Sequence, residues 1–298
     1  MLISRTRETL IKIFHDRLSE VRQDKDFYYF YKYMSFDPNL SVLRTFEDVT
    51  LKYTKPTKYN DPYDCHFSVD FDKSNFDKKS FEKEMGYKIT VNDWFKNKAK
   101  YLKKFENLYT ERFTNDYRDR IAVTCFTTQP LNILMWSHYA HNHSGFVLEF
   151  KFHKTINKFN LKTKSPLPII YSDEYPTIKL GWNSSKTLAN KEVQADYLTK
   201  MVLTKAKCWS YENEFRIVSF DPSENNKDII LIPFDPNTLS SVILGARIDR
   251  ENHFEKIKSS IIKFNKKNNV NVEIYEAEMI KGRYELHVPN HPRLSENN

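Results

Sequence analysis

The chain has 298 residues, of which 40% are hydrophobic and 15% aromatic, and it carries a formal net charge of +8. This length allows one large domain or two small ones, and the apolar fraction is enough to form a sizeable core. Only 5 glycines are present, and the chain contains neither a Walker-type phosphate loop nor a G-x-G-x-x-G fingerprint. Its 3 scattered cysteines argue against a disulfide framework and for a reducing, cytoplasmic location.

The basic charge balance favours phosphate-bearing partners, either nucleic acid or a phosphorylated small molecule. The alternative is that lysine is simply abundant, because the charges are spread along the chain rather than concentrated. No apolar run approaches the ~18 residues that cross a bilayer, so no membrane contact is expected. The sequence carries no signal for an oligomeric state.

Hydrophobic periodicity predicts helices and strands that interleave without the regular spacing of a doubly wound sheet. Helices are predicted at residues 4–23, from 37–38 onward, and at 130–139, 186–204 and 249–264. Alternating or aromatic-rich segments predict the strands, which are 27–33, 49–53, 121–126, 145–152, 166–171, 208–218, 228–234, 241–244, 270–275 and 284–288.

Residues 72–118 are rich in Lys, Asp, Asn and Phe, and they are predicted to form the helices of an inserted, mostly solvated lobe. From about residue 289 the chain is polar, and this tail is expected to be flexible. No internal repeat divides the chain. The sequence therefore predicts a single α+β domain, residues 1–298, with a mixed, mainly antiparallel sheet and flanking helices.

The segment 208–218 is the most informative part of the chain, because two carboxylates and a guanidinium alternate along it. Residues two apart in a strand share a face, which places Glu212, Glu214 and Arg216 side by side. Such a group is costly to bury but suits a cleft, where Arg216 is expected to pair with Glu214 or Asp61. The alternative is the exposed polar face of a half-buried strand. We favour a catalytic set in which Glu214 is preferred over Glu212, because Glu214 lies further into the strand.

Two further motifs supply polar and aromatic groups. The Asn60–Asp61–Pro62 turn is either structural or a platform that aims Asn60 or Asp61 into a cleft. In the segment 135–145, Trp136 can stack on a ring and His138 can exchange a proton, although a packed tryptophan with a hydrogen-bonded histidine is the alternative. The spacing of the three histidines in this segment fits no standard zinc site, and no metal is expected.

Several motifs follow one another in a fixed order over most of the chain. They are Tyr31-Lys32-Tyr33, Leu51-x-Tyr53, Asn60-Asp61-Pro62, Cys125-Phe126, Met135-Trp136-Ser137-His138-Tyr139-Ala140, Gly145, Lys207-x-Trp209-x-Tyr211-Glu212-x-Glu214-x-Arg216 and Val242-Ile243-Leu244-Gly245. In this order they resemble the bacterial family catalogued as domain of unknown function 2971, over about residues 27–288. That family has no settled function, so the resemblance leaves the activity open.

A looser similarity runs to ADP-ribosyltransferases, because Tyr33, Tyr53 and the pair Glu212-x-Glu214 occur in the order of that fold's NAD-gripping and catalytic positions. The similarity implies that NAD is the substrate and that a glutamate stabilises an oxocarbenium-like transition state while nicotinamide leaves. Two features depart from the pattern: Tyr33 stands where that fold usually has His or Arg, and no convincing Ser-Thr-Ser strand is present. The expected NAD-binding residues are Tyr33, Tyr53, Asn60, Asp61, Trp136 and His138.

Three functions remain open at this stage. The first, which we favour, is an NAD-consuming, ADP-ribosyltransferase-like enzyme that acts on a nucleic-acid or protein target in a defence or toxin setting. The second is a metal-dependent nucleic-acid hydrolase that uses Asp61, Glu212 and Glu214 with a divalent ion. The third is a non-catalytic nucleic-acid or protein-binding module. NAD turnover without metal, loss of activity in chelator, and salt-dependent binding without turnover distinguish the three.

Overall fold

The computed structural model describes residues 12–71, 76–156, 165–180, 200–220 and 227–295. The strands, numbered in chain order, are β1 (Phe27–Met34), β2 (Thr50–Thr54), β3 (Ser68–Phe71), β4 (Ile121–Thr127), β5 (Phe146–His153), β6 (Leu167–Pro168), β7 (Ile170–Ser172), β8 (Thr177–Leu180), β9 (Thr204–Ala206), β10 (Glu214–Phe220), β11 (Ile229–Pro233), β12 (Leu239–Leu244), β13 (Glu273–Glu276), β14 (Glu278–Met279) and β15 (Leu286–His287). The helices are α1 (residues 12–19), α2 (Arg44–Glu47), α3 (Lys78–Met85), α4 (Val91–Arg120), α5 (Ile133–Tyr139) and α6 (Glu255–Asn268).

A nine-stranded sheet organises the described residues. Its strand order is β11-β2-β4-β1-β5-β12-β13, with β10 beside β4 and β6 beside β10. Neighbouring strands run antiparallel throughout this sheet as described, except that β12 and β13 are parallel. Pairs β3–β8 and β7–β9 form small parallel sheets. The predicted α+β class, with a mixed and mainly antiparallel sheet, is therefore confirmed.

The sheet forks at one edge of β4. The opposite edge of this strand is paired with β10 along its whole length. On the forked edge, Thr127 is paired with Tyr31 of β1 and Val123 is paired with Thr54 of β2. Cys125 lies between these two pairings and belongs to neither ladder. The β1 and β2 strands thus diverge around the middle of β4.

The helices follow from capping residues and apolar spacing. Asp77 accepts from the backbone N–H of Ser80 to begin α3, and the Thr90 hydroxyl caps α4 in the same way. Helix α6 packs through Ile257, Ile261 and Phe264, which are spaced by about one turn. Helices α3 and α4 are the ones predicted within residues 72–118, and that this lobe is an insertion stays a prediction. No helix in the described parts of the chain is long and apolar enough to cross a membrane.

Three of the predicted elements need correction. The strand predicted at 208–218 begins only at Glu214, because Lys207–Glu212 forms a 3-10 helix that Asn213 ends in a left-handed conformation, with φ 47°. The helix predicted from residues 37–38 begins later, at a 3-10 turn after Leu40, which also has positive φ. The helix predicted at 186–204 falls mostly outside the described residues; 200–203 are helical and β9 begins at Thr204.

The C-terminal segment is held by a buried carboxylate. Glu149 of β5 is fully buried and accepts from Arg293 Nε at 2.8 Å, from Ser241 Oγ at 2.8 Å and from Tyr31 OH at 3.0 Å. The guanidinium of Arg293 also lies 3.9 Å from the ring centroid of Tyr29. These contacts attach the segment around Arg293 to β5, and the flexibility expected from about residue 289 stays a prediction.

We expect that Glu149→Gln destabilises the protein and that this effect depends on pH. Burial opposes ionisation of Glu149, but hydrogen bonds from His291 and Arg293 lower its pKa from 4.5 to about 2. The stabilisation is therefore complete above pH 4.5 and is lost as the pH falls towards 2. At pH 7 the variant should lose about 3 kcal/mol in the free energy of unfolding, since a charged partner is left unpaired.

Chemical denaturation at several pH values measures this difference. The gap between wild type and variant should close as the pH falls below 4.5. The matched control is Glu278→Gln, because the Glu278 side chain is 60% exposed and lies 3.4 Å from His287. A gap that stays constant down to pH 2 would contradict the assignment of the charge to Glu149.

Candidate functional site

A buried arginine in β10 joins two carboxylates. Arg216 is 0% exposed, and its guanidinium donates to both carboxylate oxygens of Asp64, at 2.9 and 2.6 Å. It also donates to both carboxylate oxygens of Glu214, at 2.6 and 3.1 Å, and to the carbonyl of Val202 at 2.7 Å. The planar guanidinium suits two such bidentate contacts, whereas an ammonium offers only a point charge. The predicted Arg216–Glu214 pair is therefore confirmed.

A lysine extends this pair into a five-membered ionic cluster. Lys205 Nζ lies 2.6 Å from Glu212 Oε2, 3.0 Å from Glu214 Oε2 and 3.6 Å from Asp64 Oδ2. The other oxygen of Glu212 accepts from the hydroxyl of Tyr139 at 2.6 Å. We call Asp64, Lys205, Glu212, Glu214 and Arg216 the ionic cluster.

Backbone hydrogen bonds set the positions of the two glutamates. The left-handed turn at Asn213 separates them, so they are not neighbours on a regular strand face. The Thr127 hydroxyl donates to the carbonyl of Glu212 at 2.5 Å, and the backbone N–H of Glu214 donates to the hydroxyl of Tyr171 at 2.8 Å. Both carboxylates therefore reach Lys205 although the strand begins only at the second of them.

The surrounding charges and burial shift the pKa values of the two glutamates in opposite directions. Burial opposes ionisation of both, but the charges of Arg216 and then Lys205 hold the pKa of Glu214 well below its usual range. For Glu212, burial outweighs the attraction of Lys205, and its pKa is raised. Three carboxylates face two cations, so one negative charge is in excess when all five groups are ionised. Glu212 is the member most suited to take up a proton.

Aromatic side chains border the Glu212 end of the cluster. Lys205 Nζ lies 5.0 Å from the ring centroid of Trp209, a cation–π contact. The rings of Trp209 and Tyr211 lie 6.1 Å apart, and the Tyr211 hydroxyl is 3.4 Å from Nδ1 of exposed His138. Since Trp209 and Tyr211 are half-buried, this aromatic border is the side on which a ligand could approach Glu212.

Of the predicted NAD-binding residues, His138 reaches the aromatic border of the cluster, whereas Tyr53 lies on the other face of the sheet. Paired residues of neighbouring strands share a face, so Thr54, Val123 and Thr127 lie on the face of Glu214, and Tyr53 lies on the opposite one. Tyr53, which was predicted to bind NAD, therefore lies on the face of the sheet opposite to Glu214.

Trp136 and Tyr33 form a packed pair. Trp136 is 0% exposed, donates from Nε1 to the carbonyl of Pro130 at 2.8 Å and is thus closed to a stacking ligand, which corrects its predicted role. Tyr33 is half-buried, lies 5.3 Å from the Trp136 ring and donates to the carbonyl of Gln129.

The loop that contains Asn60 and Asp61 contributes Asp64 to the ionic cluster, not the expected Asp61. Asp61 accepts from the backbone N–H of Tyr63 at 2.8 Å, which makes it a turn residue. One turn later Asp64 enters the cluster, so the predicted alternative of an Arg216–Asp61 pair is wrong. Asn60 is exposed. Sequence reasoning missed Asp64 and Lys205, and only the position of Asp64 at the end of the Asx–Pro loop signalled it.

Two glycines fix the corner at which α5 turns into β5. His141, Asn142 and His143 all have positive φ, between 49° and 68°. A Cβ on Gly145 would lie 2.3 Å from the Met34 carbonyl oxygen, and one on Gly245 would lie 2.1 Å from the carbonyl oxygen of His143. Backbone contacts this close are possible only without a side chain. The corner thereby anchors the helix that carries Tyr139.

Comparison with known proteins adds a family but no reaction. The family described as "Protein of unknown function (DUF2971)" matches residues 135–217, which confirms the resemblance stated from the motifs. That segment contains Tyr139, Lys205, Glu212, Glu214 and Arg216 of the site. No curated protein and no solved structure matches the chain. Among the described residues, no group of three or more His, Cys, Asp or Glu side chains has an arrangement that could hold a metal ion.

We expect Arg216→Lys to destabilise the protein by about 3 kcal/mol or more, because lysine cannot hold two carboxylates bidentately and would leave charge buried and unpaired. The matched control is Arg250→Lys. Arg250 also contacts both oxygens of one carboxylate, that of Glu276, but its side chain is 61% exposed. An exposed pair contributes little, so the control should lose less than about 0.5 kcal/mol. Equal losses in denaturant unfolding would refute a structural role for the burial of Arg216.

Proposed function

We propose that the protein is an enzyme that cleaves a glycosidic bond, with NAD as the expected substrate, and that the ionic cluster is its active site. The supporting observation is a pair of buried carboxylates, Glu212 and Glu214, which Lys205 Nζ bridges at 2.6 and 3.0 Å. Burial raises the pKa of Glu212, whereas for Glu214 the charges of Arg216 and Lys205 outweigh burial and lower its pKa. Such a pair supplies a charged group and a proton-exchanging group at one place, as acid–base chemistry at a sugar carbon requires.

In this proposal the two glutamates have separate roles. Glu214 stays ionised, because Arg216 and Lys205 hold its charge, and it provides fixed negative potential near a developing oxocarbenium ion. Glu212 exchanges the proton and is oriented by Tyr139 and Lys205. The preference for Glu214 as the catalytic carboxylate stays a prediction, and the surroundings favour Glu212 as the acid–base group.

The residues predicted to hold NAD fit it only in part. Tyr53 faces the other side of the sheet and Trp136 is enclosed, so neither can hold the dinucleotide beside Glu214. The groups that border Glu212 are Trp209, Tyr211 and His138. A target of nucleic acid or protein for the transferred group, in a defence or toxin setting, is part of the same proposal.

The metal-dependent hydrolase is the weaker candidate. The oxygens of Asp64 and Glu214 already accept hydrogen bonds from Arg216, and Lys205 bridges Glu212 and Glu214. A divalent ion would have to displace these cations from the carboxylates, because like charges cannot share the space. The third function, a non-catalytic binding module, is distinguished from the other two by the NAD experiment that follows.

In the deciding experiment the pure protein is incubated with NAD, and the release of nicotinamide is measured by mass analysis. We expect turnover in the presence of chelator, and Glu212→Gln should lower it at least about 100-fold, which corresponds to about 2.7 kcal/mol in the barrier. The melting temperature should change little, because the amide oxygen of glutamine can accept from Lys205, its NH2 group can donate to the Tyr139 oxygen, and two carboxylates then remain for two cations. Glu278→Gln, an exposed carboxylate, is the control for loss of charge.

Other outcomes assign the protein to the alternatives. Chelator-sensitive cleavage of added DNA or RNA would support the hydrolase. Salt-dependent binding of nucleic acid without turnover would support the binding module. NAD turnover by Glu212→Gln within a few-fold of wild type would remove Glu212 from the reaction.

A second prediction concerns Tyr139→Phe. The Tyr139 hydroxyl donates to the ionised form of Glu212 and so lowers its pKa, in opposition to burial. Removing the donor should raise the pKa of Glu212 further, and the limb of the pH–rate profile that reports Glu212 should move to higher pH. A loss of rate with no movement of that limb would show that Tyr139 acts on the substrate or on the fold instead.

A further inference from the structure

The separation of the two glutamates depends on one residue in a left-handed conformation. Asn213 has φ 47° and ψ 47°, and it lies between Glu212, at the end of a 3-10 helix, and Glu214, at the start of β10. A residue with a Cβ adopts this conformation at a cost, although asparagine tolerates it better than most. The backbone N–H of Asn213 donates to the carbonyl of Ser210 at 3.2 Å. A contact that holds the Asn213 side chain would therefore also fix the separation of the carboxylates.

The N-terminal helix supplies such a contact. Arg17 of α1 donates from Nη2 to the side-chain oxygen Oδ1 of Asn213. The guanidinium carbon of Arg17 lies 5.6 Å from the ring centroid of Phe215. Because successive residues of a strand alternate, Phe215 lies on the face of β10 opposite to Glu214 and Arg216. Arg17 thus reaches the turn from the side of the sheet that does not carry these two members of the ionic cluster.

Packing in the core fixes the position of α1 and of the turn that follows it. Phe14, Leu18 and Val21 are buried and belong to the main hydrophobic core. The side chain of Arg17 lies among them in sequence and is 21% exposed. The residue that holds Asn213 is therefore itself placed by contacts that do not involve the ionic cluster, as a supporting residue should be.

A second arginine of the same segment contacts the strand on the other side of Glu212. Arg22 Nη1 donates to the carbonyl of Thr128 at 3.0 Å. Thr128 follows Thr127, whose hydroxyl donates to the carbonyl of Glu212 at 2.5 Å. The N-terminal segment therefore contacts the chain at two points next to Glu212, the Asn213 turn and the end of β4.

We propose that Arg17 is a positioning residue of the candidate site, which holds the Asn213 turn so that Glu212 and Glu214 both reach Lys205. The inference rests on the proposed function only for its effect on turnover, because the position of Glu212 can be measured without a reaction. It makes α1 a part of the site, although residue 17 lies outside residues 135–217, the segment that matches the family.

The contacts of Glu212 are the ones that loss of this hydrogen bond should change. Without Arg17, the turn is free to leave its left-handed conformation, and the chain then changes direction directly after Glu212. The Glu212 carboxylate would be displaced from Lys205 Nζ, at 2.6 Å, and from the Tyr139 hydroxyl, at 2.6 Å. Burial, Lys205, Glu214 and Tyr139 together set the pKa of Glu212, so a displacement of the carboxylate alters that pKa.

The test follows the titration of Glu212 in the full-length protein by carbon-13 NMR of the glutamate carboxyl groups, with Glu212→Gln to assign the signal. Arg17→Met removes the donor and keeps a long unbranched side chain. We expect the Glu212 midpoint to move by about 0.5 pH unit or more in this variant. Arg17→Lys should keep most of the wild-type midpoint, because the bond to Asn213 uses a single N–H.

A double-mutant cycle tests whether the effect passes through Asn213. Asn213→Gly removes the acceptor, and glycine enters or leaves the left-handed region freely. Because both variants break the same contact, Arg17→Met combined with Asn213→Gly should shift the midpoint no further than the larger single shift. The matched control is Arg44→Met, since Arg44 Nε also bonds one side chain, that of Asp48 at 2.8 Å. The control should titrate as wild type does.

Measurements of turnover distinguish this proposal from the proposed reaction. If NAD is cleaved, Arg17→Met should lower kcat about tenfold and leave KM within about twofold, because Arg17 orients Glu212 and does not contact the substrate. A moved midpoint in a protein that does not cleave NAD would support the positioning role and reject the reaction.

An unmoved Glu212 midpoint in Arg17→Met would overturn the positioning role whether or not NAD is cleaved, and a lower melting temperature alongside it would leave Arg17 a role in folding alone. Additive shifts in the double variant, or an equal shift in Arg44→Met, would also overturn it. If Arg17→Met does not fold, Asn213→Gly decides the question, because its midpoint must move as well.

Discussion

One guanidinium, fully buried between two carboxylates, determines where the parts of the candidate site lie. Moving Arg216 out of water is costly, and the cost is offset only if each of its N–H groups finds an acceptor. Asp64, Glu214 and the Val202 carbonyl provide them, from three separate stretches of chain. The loop after β2, the residues before β9 and the start of β10 must therefore meet at this point, because any one of them missing leaves a buried charge unpaired.

Buried carboxylates occur at two places in the molecule, and their surroundings differ. At Glu149, two oxygens accept from Arg293, Ser241 and Tyr31, and the carboxylate is enclosed by residues with little exposure. In the ionic cluster the carboxylates outnumber the cations, and half-buried rings lie beside the excess one. A buried network in which every charge is paired stabilises the fold. A network with an excess carboxylate beside half-buried rings can still exchange a proton or bind a ligand.

Sequence reasoning predicted the class of fold and the glutamate–arginine motif because both depend on local patterns. Alternation identifies strands, and the Glu214–Arg216 pair needs only two residues of one strand. It failed for the start of that strand, since Asn213 takes a left-handed turn that alternation cannot reveal. Asp64 and Lys205 were missed for another reason. Their partners are distant in sequence or separated by a turn, and an isolated acid or lysine carries no signal of which charge it will meet.

The sequence motifs also gave a wrong expectation of which aromatic side chains are accessible to a ligand. Trp136 and Tyr53 have the ring chemistry that a nucleotide site uses, and both are enclosed by the core instead. For Tyr53, strand register decides the exposure, because one residue along β2 changes the face on which a side chain lies. A register is set by pairing with strands far away in the chain, so it becomes visible only in three dimensions.

The glycine corner after α5 joins two points that lie far apart in the sequence. Gly245 N–H donates to the carbonyl of Gly145 at 2.9 Å, and Arg247 N–H donates to that of His143 at 3.0 Å. The end of β12 is thus joined to the start of β5, although 100 positions of sequence separate Gly145 from Gly245. A side chain at either glycine would break this junction, so the position of α5, and of Tyr139 within it, depends on a contact between two points that are distant in sequence.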